Sequence, residues 1–269
     1  MKWVRVADDG GARYGVLDGE TIRLTSDTWD DLLNGVTPTY LDDVAAESAT
    51  LLNPVPAPGK IVAIGLNYLD HCRETGMEVP KSPLVFTKFN TSLVGPGDEI
   101  VWSASLTQKV DYEAELAVVM GKTARNVDVD DALAYVFGYT AANDVSARDI
   151  QLGDGQWVRG KSLDTFCPVG PAVVTADEIP DPGALAIRSI LNGKVMQDSN
   201  TSELIFGVAE LIAFCSRSFT LEPGDLILTG TPFGVALGRQ PEVYMQDGDE
   251  IVVEIEGIGR LVNTCRVVA

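Results

Sequence analysis

The sequence predicts an α+β fold dominated by strands. Short strand-like runs outnumber helical ones, and the two kinds do not alternate regularly as they do in a doubly wound sheet. The 269-residue chain is 45% hydrophobic and 22% charged, which is typical of a globular protein of one large or two smaller domains. It contains no internal repeat and no low-complexity tract, so disordered and fibrous classes are excluded.

Residues 1–55 are predicted to form a small β-rich domain. Three short strands joined by turns rich in Asp and Gly are predicted there, at residues 3–7, 13–17 and 21–24. The first of these turns covers residues 8–11, and a short helix follows from Ser26 to Leu33. The proline-rich run 53–59 stiffens the backbone and removes hydrogen-bond donors. It is therefore the predicted boundary before a second domain over residues 60–269.

The second domain is predicted to contain many strands and a few helices. Strands are predicted at residues 60–65, 111–120, 187–191, 194–197, 226–230, 250–255 and 260–268. Helices are predicted at 67–74, at 129–136 and from Ser202 to about Ser216, where Gly207 is a weak point. The dipeptide Asn192-Gly193 is the strongest short hairpin signal.

Charge and residue counts exclude several functional classes. Twenty Lys and Arg against 39 Asp and Glu give a formal net charge of −19, which does not fit a protein that binds nucleic acid through a basic face. The single histidine, His71, excludes three-histidine zinc and two-histidine iron sites, so a metal here needs oxygen ligands. The four cysteines have no CxxC spacing and are expected to be reduced thiols. Because no run reaches about 20 apolar residues and no signal peptide is evident, the expected location is cytoplasmic.

Acidic residues alternate along the segment 110–120. In a strand, Asp111, Glu113 and Glu115 project to one side, where their like charges repel one another. Either that face is solvated, as in an exposed acidic strand, or a cation lies against it. The apolar residues that follow favour a strand that enters the core. Asp144 is expected at the end of another buried strand, and with Glu113 and Glu115 it would form an all-oxygen set suited to Mg²⁺, Mn²⁺ or Ca²⁺.

His71 and Glu74 are three residues apart in a predicted helix, which places them on one face. A carboxylate beside an imidazole orients it and stabilises its protonated form, as a general base requires. A surface histidine with a salt bridge is the alternative. The glycine-rich loops at 159–171 and 229–235 offer Lys161 and Thr231 as anion-contacting groups, but such loops are also common structural turns.

Taken in order, these segments resemble those of the fumarylacetoacetate hydrolase family. The resemblance rests on NYLDHCRE at 67–74, DYEAEL at 111–116, NDVSARDIQ at 143–151, GKSLDTFCPVGP at 160–171, QDSNTSE at 197–203 and LTGTPFGV at 228–235. It covers nearly all of the chain from Lys60 onward. It implies a mixed β-sandwich roll and a homodimer.

The resemblance also implies roles for individual residues. The family's Mg²⁺ or Mn²⁺ ligands correspond to Glu113, Glu115 and Asp144, and Ca²⁺ can replace these ions. The His–Glu dyad of the family's short lid helix corresponds to His71 and Glu74, and its active-site lysine corresponds to Lys161. Three substrate-contacting positions of the family correspond to Arg148, Gln151 and Thr231.

Family members act on 2-oxo acids, which implies that this chain cleaves the C3–C4 bond of such an acid and forms a pyruvate enolate that a metal ion and Lys161 stabilise. The reaction would be hydrolysis of an acylpyruvate or fumarylpyruvate, or decarboxylation of oxaloacetate. The presence of His71 and Glu74 favours these reactions over isomerisation of 2-hydroxyhepta-2,4-diene-1,7-dioate or carboxymethyl-hydroxymuconate, which needs no attack by water. A non-catalytic binder of 2-oxo acids is the alternative from another class. No nucleic-acid or membrane partner is expected.

Overall fold

Three β-sheets and five short α-helices make up the fold of the computed structural model, which describes residues 1–8 and 10–269. The strands are β1 (Lys2–Asp8), β2 (Gly11–Asp18), β3 (Thr21–Thr25), β4 (Tyr40–Ala45), β5 (Leu51–Leu52), β6 (Ile61–Gly65), β7 (Leu84–Lys88), β8 (Leu93–Val94), β9 (Glu99–Ser103), β10 (Val110–Asp111), β11 (Ala114–Met120), β12 (Val136–Asn143), β13 (Ser146–Ala147), β14 (Cys167–Thr175), β15 (Ala186–Leu191), β16 (Lys194–Asn200), β17 (Leu226–Leu228), β18 (Glu250–Ile255) and β19 (Gly259–Val268). The helices are α1 (Trp29–Leu33), α2 (Leu69–Thr75), α3 (Arg148–Asp154), α4 (Val158–Lys161) and α5 (Val208–Ser218). The prediction of an α+β fold dominated by strands is confirmed.

The largest sheet contains strands from both sides of the predicted domain boundary. Its strands run in the order β4-β3-β2-β1-β14-β12-β11-β17-β6-β7, with β5 paired to β1 and β8 paired to β14. Most neighbours are antiparallel, but β17 pairs with β6 and β14 with β8 in parallel, so the sheet is mixed. The strands of residues 1–55 continue this sheet through the pairing of β1 with β14. The division into two domains stays a prediction.

A second sheet of five strands, in the order β16-β15-β18-β19-β9, packs over the large one. The main core lies between them and is closed by α5. It combines Leu116 and Val118 of β11 with Ile187 and Val253 of the smaller sheet and Leu211 of α5, all at most 1% exposed. On the opposite face of β11, Ala117 and Val119 contact a second cluster that includes Trp3 and Leu228. Because β11 is covered on both faces, the polar side chains at its beginning are also buried.

Several element predictions are confirmed in place and type. The predicted hairpin turn at Asn192-Gly193 has both residues at positive φ, 50° and 76°, as a tight two-residue turn requires. The predicted helix at 67–74 is α2, and the predicted helix from Ser26 begins three residues later as α1, capped by Thr28. Within the predicted turn 8–11, Asp9 lies outside the described residues.

Three element predictions need correction. The predicted strand 111–120 is interrupted at residues 112–113, and the segment 129–136 forms a 3₁₀ helix at Val129–Tyr135 in place of an α-helix. The third correction concerns α5, which begins at Val208 with Gly207 as its N-cap, and Ser202 does not cap it. The physical reason is tertiary: the backbone N–H groups of Ile205 and Phe206 donate to Asn67, which draws this segment out of helical geometry.

Candidate active site

Three buried carboxylates converge where β11 and β12 meet. Register places Ala114 opposite Asn143, so Glu113 and Asp144 lie beside each other, and the Asp144 N–H donates to the Glu113 carbonyl at 2.9 Å. The carboxylates of Glu113, Glu115 and Asp144 each offer an oxygen, and these oxygens lie within 4.8 Å of one another. Each residue is at most 5% exposed. The structure therefore brings together the three residues that the sequence singled out as metal ligands.

The donor set fits a hard divalent cation. All three ligands are carboxylate oxygens, which is the chemistry that Mg²⁺, Mn²⁺ and Ca²⁺ prefer. Burial together with the negative charges of Asp144 and Glu113 raises the pKa of the Glu115 carboxyl well above its usual range. A cation bound between the three groups would remove this repulsion. Residues that could hold the ion are therefore Glu113, Glu115 and Asp144.

Three cationic side chains surround the carboxylates. Lys161 Nζ lies 2.6 Å from Glu113 Oε2 and 2.8 Å from Asp144 Oδ2, and Arg148 contacts Glu113 Oε1 at 2.6 Å. Although burial opposes ionisation of Glu113, Lys161 and Arg148 outweigh it and lower the pKa of that carboxyl. Both cations are predicted site residues. They supply positive charge on the side of the site that faces the cavity.

The third cation, Lys88, is a site residue that sequence reasoning missed. Its Nζ lies 2.6 Å from Asp144 Oδ1 and also contacts the carbonyl oxygens of Val145 and Lys161. The Lys88 side chain is completely buried. A lysine shortly after the apolar run 84–86 was the available signal, because a buried lysine needs a carboxylate partner.

Asp111 does not join the three converging carboxylates, although the strand pattern placed it on their side. The break at residues 112–113 turns it toward Arg148, whose Nε donates to Asp111 Oδ2 at 2.7 Å. Asp111 also accepts hydrogen bonds from the N–H groups of Ala236 and Leu237 at 2.7 and 3.2 Å. It therefore fixes Arg148 and a loop of the site.

The predicted His–Glu pair forms on α2. His71 Nδ1 lies 3.1 Å from Glu74 Oε2, and the side chains are 15% and 17% exposed. Glu74 Oε1 accepts a hydrogen bond from the Gly234 N–H at 3.0 Å. When Nδ1 carries the proton donated to Glu74, Nε2 is left with a free electron pair, as a general base requires.

A cavity of about 150 Å³ separates α2 from the carboxylates. Its polar lining includes His71, Thr75, Glu113, Glu115, Arg148, Gln151, Lys161 and Thr231, and its apolar lining includes Phe86, Trp157, Met77, Leu152, Val235 and Leu237. Seven of the nine predicted site residues thus line the cavity. The other two contact lining residues: Glu74 contacts His71, and Asp144 contacts Lys161.

Two predicted substrate-contacting residues are already engaged with their neighbours. Gln151 Oε1 accepts a hydrogen bond from Arg148 Nη1 at 3.0 Å. The Thr231 hydroxyl donates to the Ala114 carbonyl at 3.0 Å and accepts from Gln197 Nε2 at 2.8 Å. Gln197 is buried and was not predicted as a site residue. These bonds fix two polar side chains of the cavity wall.

The loop of residues 229–238, called here the carboxylate-binding loop, connects all parts of the site. Its backbone N–H groups donate to four carboxylates, those of Glu115, Asp70, Glu74 and Asp111. Gly238 allows close approach, because a Cβ there would lie 2.5–2.8 Å from the Glu74 carboxylate atoms. The main chain, and not the side chains, of this loop therefore sets the relative positions of the acidic groups.

The metal-binding candidate, the cysteines and the helices can each be compared with the rest of the described residues. Among the residues that the structure describes, no second group of His, Cys, Asp or Glu side chains has metal-binding spacing. The four cysteines are buried and free, as expected. No helix in the described part of the chain has the length and apolar character needed to span a membrane.

Comparison with known proteins gives matches over the whole chain. The family model described as fumarylacetoacetate (FAA) hydrolase C-terminal matches residues 60–266, and one described as Rv2993c-like, N-terminal, matches residues 1–54. The human mitochondrial oxaloacetate tautomerase FAHD2A is 49% identical over 216 residues, which are 80% of this chain and 68% of the human protein. The mitochondrial oxaloacetate tautomerase Fahd2a of Rattus norvegicus is 48% identical over 82% of this chain and 70% of the rat protein.

Solved structures with related sequences share the fold. A fumarylacetoacetate hydrolase from the psychrophile Exiguobacterium antarcticum aligns with a TM-score of 0.90 and 40% identity, covering 100% of both chains. A 2-hydroxyhepta-2,4-diene-1,7-dioate isomerase from Mycobacterium marinum aligns with a TM-score of 0.86 and 37% identity, covering 99% of this chain and 98% of that one.

Proposed function

The chain belongs to the fumarylacetoacetate hydrolase family of enzymes, and on that premise we propose that it is a divalent-metal-dependent enzyme acting on small 2-oxo acids of the oxaloacetate type. The observation that carries the proposal is that the His71–Glu74 pair, Lys161 and two of the three carboxylates face one cavity. A base, a cation and a metal-binding set on one cavity are what proton transfer beside a carbonyl group requires.

Glu113, Glu115 and Asp144 would hold the ion, and Mg²⁺ or Mn²⁺ is the proposed native metal. The bound ion would act as a Lewis acid that polarises the 2-oxo group. Two buried cations, Lys161 and Arg148, would bind the substrate carboxylate and balance the negative charge that develops on the enolate oxygen. The apolar wall formed by Phe86 and Trp157 would exclude water from this end of the cavity.

The proposed reaction is the interconversion of the enol and keto forms of oxaloacetate. His71 Nε2 would take a proton from C3 of the keto acid, and the C2 oxygen of the resulting enolate would take up a proton from water to give the enol. In the reverse direction the enol oxygen would lose its proton to water and the protonated imidazole would return one to C3, while Glu74 holds the imidazole in place. The relatives that match at 48–49% identity are named as oxaloacetate tautomerases, which supports this choice of substrate and reaction.

A second candidate is cleavage of the C3–C4 bond, because the same base could take a proton from water. Water would attack the C4 carbonyl of an acylpyruvate, the C3–C4 bond would break, and its electron pair would remain on pyruvate as the enolate. In decarboxylation, C4 would leave oxaloacetate as CO₂ and give the same enolate. The position of His71 on the cavity, with Glu74 bonded to its imidazole, supports this candidate.

A direct assay separates these reactions. Enolic oxaloacetate is mixed with the enzyme and Mg²⁺ or Mn²⁺, the loss of ultraviolet enol absorbance is followed, and pyruvate is measured in the same samples. Tautomerisation consumes enol without forming pyruvate, whereas decarboxylation forms pyruvate in equal amount. Acetylpyruvate, fumarylpyruvate and a hydroxymuconate-type dioate complete the panel. If no substrate of the panel turns over while oxalate still binds in calorimetry, the protein is a 2-oxo acid binder and the proposal is wrong.

The metal requirement has its own test. Treatment with EDTA should abolish turnover, and Mg²⁺ or Mn²⁺ should restore it, because the three carboxylates alone carry no Lewis acid. EDTA should also lower the melting temperature of the protein, since a bound cation relieves repulsion between buried carboxylates. Full activity after exhaustive chelation would contradict the metal assignment.

We also infer a homodimer, as the family resemblance implies, and a cytoplasmic location, as expected from the sequence. Strand β7 ends the large sheet, and the apolar side chains of Leu84, Val85 and Phe89 at this edge are 49%, 37% and 57% exposed. Exposed apolar groups at a sheet edge favour contact between two copies of the chain. This contact would have to overcome the repulsion between two chains of the same net charge. Analytical ultracentrifugation should give a dimer for the wild type and a monomer for the Phe89→Asp variant.

A further inference from the structure

Helix α2 carries the His–Glu pair but has little of its own to fix it in place. It has seven residues, and its buried side chain is that of Cys72. A helix this short is not stable by itself in water and depends on tertiary contacts. The position of His71 over the cavity therefore depends on the bonds that hold α2 to the rest of the fold.

Asp70 provides two of these bonds and lies next to His71. One carboxylate oxygen accepts a hydrogen bond from the Ser199 hydroxyl of β16, and the other accepts from the Phe233 N–H of the carboxylate-binding loop at 3.3 Å. Asp70 is not among the cavity-lining residues. A carboxylate that accepts from a hydroxyl and a backbone N–H makes stronger hydrogen bonds than a neutral acceptor does.

The carboxylate-binding loop to which Asp70 is bonded is itself fixed by the site. The Gly230 N–H donates to Glu115 at 2.7 Å, and the Ala236 N–H donates to Asp111 at 2.7 Å. Asp70 thus connects α2 to the same backbone that positions a metal-ligand candidate and the partner of Arg148. Glu74 makes the other connection, through Gly234.

We propose that Asp70 is a positioning residue that holds α2 against the carboxylate-binding loop and β16 so that His71 faces the substrate. The proposal rests on the proposed function only in giving His71 a role in proton transfer. The attachment of α2 by Asp70 can be measured without any substrate.

The sequence supplies a specific probe, because His71 is the single histidine of the chain. In an untagged protein, carbethoxylation by diethyl pyrocarbonate, followed at the absorbance of N-carbethoxyhistidine and reversed by hydroxylamine, reports on this one imidazole. His71 is 15% exposed when α2 is in place, so modification of the wild type should be slow. Asp70→Ala should raise the rate about ten-fold, as expected for loss of both hydrogen bonds to the carboxylate.

Matched variants separate the role of Asp70 from a general loosening of α2. Arg73→Ala removes an exposed ion pair between the same helix and Glu203 and should leave the carbethoxylation rate unchanged. Ser199→Ala removes the hydroxyl partner and leaves the charge of Asp70 in place, so it should raise the rate about three-fold. In the Asp70→Ala protein the Ser199 substitution should add nothing, because the two residues share one bond.

Kinetics give the second readout. In Asp70→Ala, kcat for the proposed tautomerisation should fall about ten-fold, while calorimetry with oxalate and Mg²⁺ should show a Kd within three-fold of the wild type. Asp70→Asn, which keeps an acceptor oxygen, should recover part of kcat.

Unchanged carbethoxylation in both Asp70→Ala and Ser199→Ala would overturn the proposal, and so would an equal increase in Arg73→Ala. If Asp70→Ala does not fold, Ser199→Ala and Asp70→Asn decide the question by the same rates. Faster carbethoxylation in a protein that turns over none of the candidate substrates would support the role of Asp70 and refute the proposed function.

Discussion

At the scale of single residues, the His71 imidazole is held by Glu74 and faces the cavity that contains the carboxylates. His71→Ala removes the base and should lower kcat/KM by about 10²–10⁴-fold, the usual contribution of general base catalysis. Steady-state kinetics on the best substrate of the panel give this value, and oxalate binding should be retained as a control for folding. Retention of full activity would remove His71 from the mechanism.

Lys88 contributes to stability more than to substrate contact, because it is a completely buried partner of Asp144. Lys88→Met leaves Val145 and Lys161 carbonyls and an Asp144 oxygen without their donor, and should lower the free energy of unfolding by about 3–5 kcal/mol. Urea denaturation measures this change. Arg188→Gln, which removes an exposed ion pair with Asp198, is the control and should leave the free energy unchanged. Equal stability of the two variants would show that Lys88 is not needed for folding.

At the scale of elements, replacing glycine by alanine should mainly affect stability at one position and mainly affect activity at another. Gly193 has a φ of 76° in the β15–β16 turn, and no atom lies within 4 Å of a Cβ placed there. Gly193→Ala should cost about 1 kcal/mol in stability through backbone strain alone and leave activity unchanged. Gly238→Ala places its Cβ against the Glu74 carboxylate and should lower kcat at least ten-fold with a small change in stability. Thermal unfolding and kinetics on both variants check the pair.

The sequence alone predicts those features that depend on residues close together in the chain. The hairpin at Asn192-Gly193 follows from turn chemistry, and the pairing of His71 with Glu74 follows from helical spacing. The convergence of Glu113 and Glu115 with Asp144 was expected because carboxylates on a strand entering the core need a cation.

Features set by distant contacts could not be predicted in this way. The start of α5 is fixed by bonds from residues 205 and 206 to Asn67, which lies 138 or more residues away in sequence. The partner of Lys88, Asp144, lies 56 residues away in sequence, and the contacts of Asp111 depend on the break at residues 112–113. Sequence periodicity contains no information on such pairings.

At the scale of the whole molecule, the net charge of −19 opposes the approach of anionic substrates. The Debye length falls from about 30 Å at 0.01 M salt to about 8 Å at 0.15 M, so salt screens this long-range repulsion more than the short-range attraction of Lys161 and Arg148. We therefore expect kcat/KM to rise a few-fold over this range. The rise should be larger for the dianion oxaloacetate than for the monoanion acetylpyruvate. Stopped-flow or steady-state assays in NaCl test this, and a fall with salt would show that the local field dominates.

The carboxylate-binding loop has a consequence for how new specificities can arise. Because the loop binds the acidic groups through peptide N–H groups, substitutions at Val235 and Leu237, whose side chains line the cavity, leave these hydrogen-bond donors in place. Exchanging these two residues for smaller or larger ones should redirect the enzyme among acids of different length while the proton-transfer apparatus stays intact. A library of variants at these two positions is therefore a direct way to alter the selectivity of the enzyme among these acids.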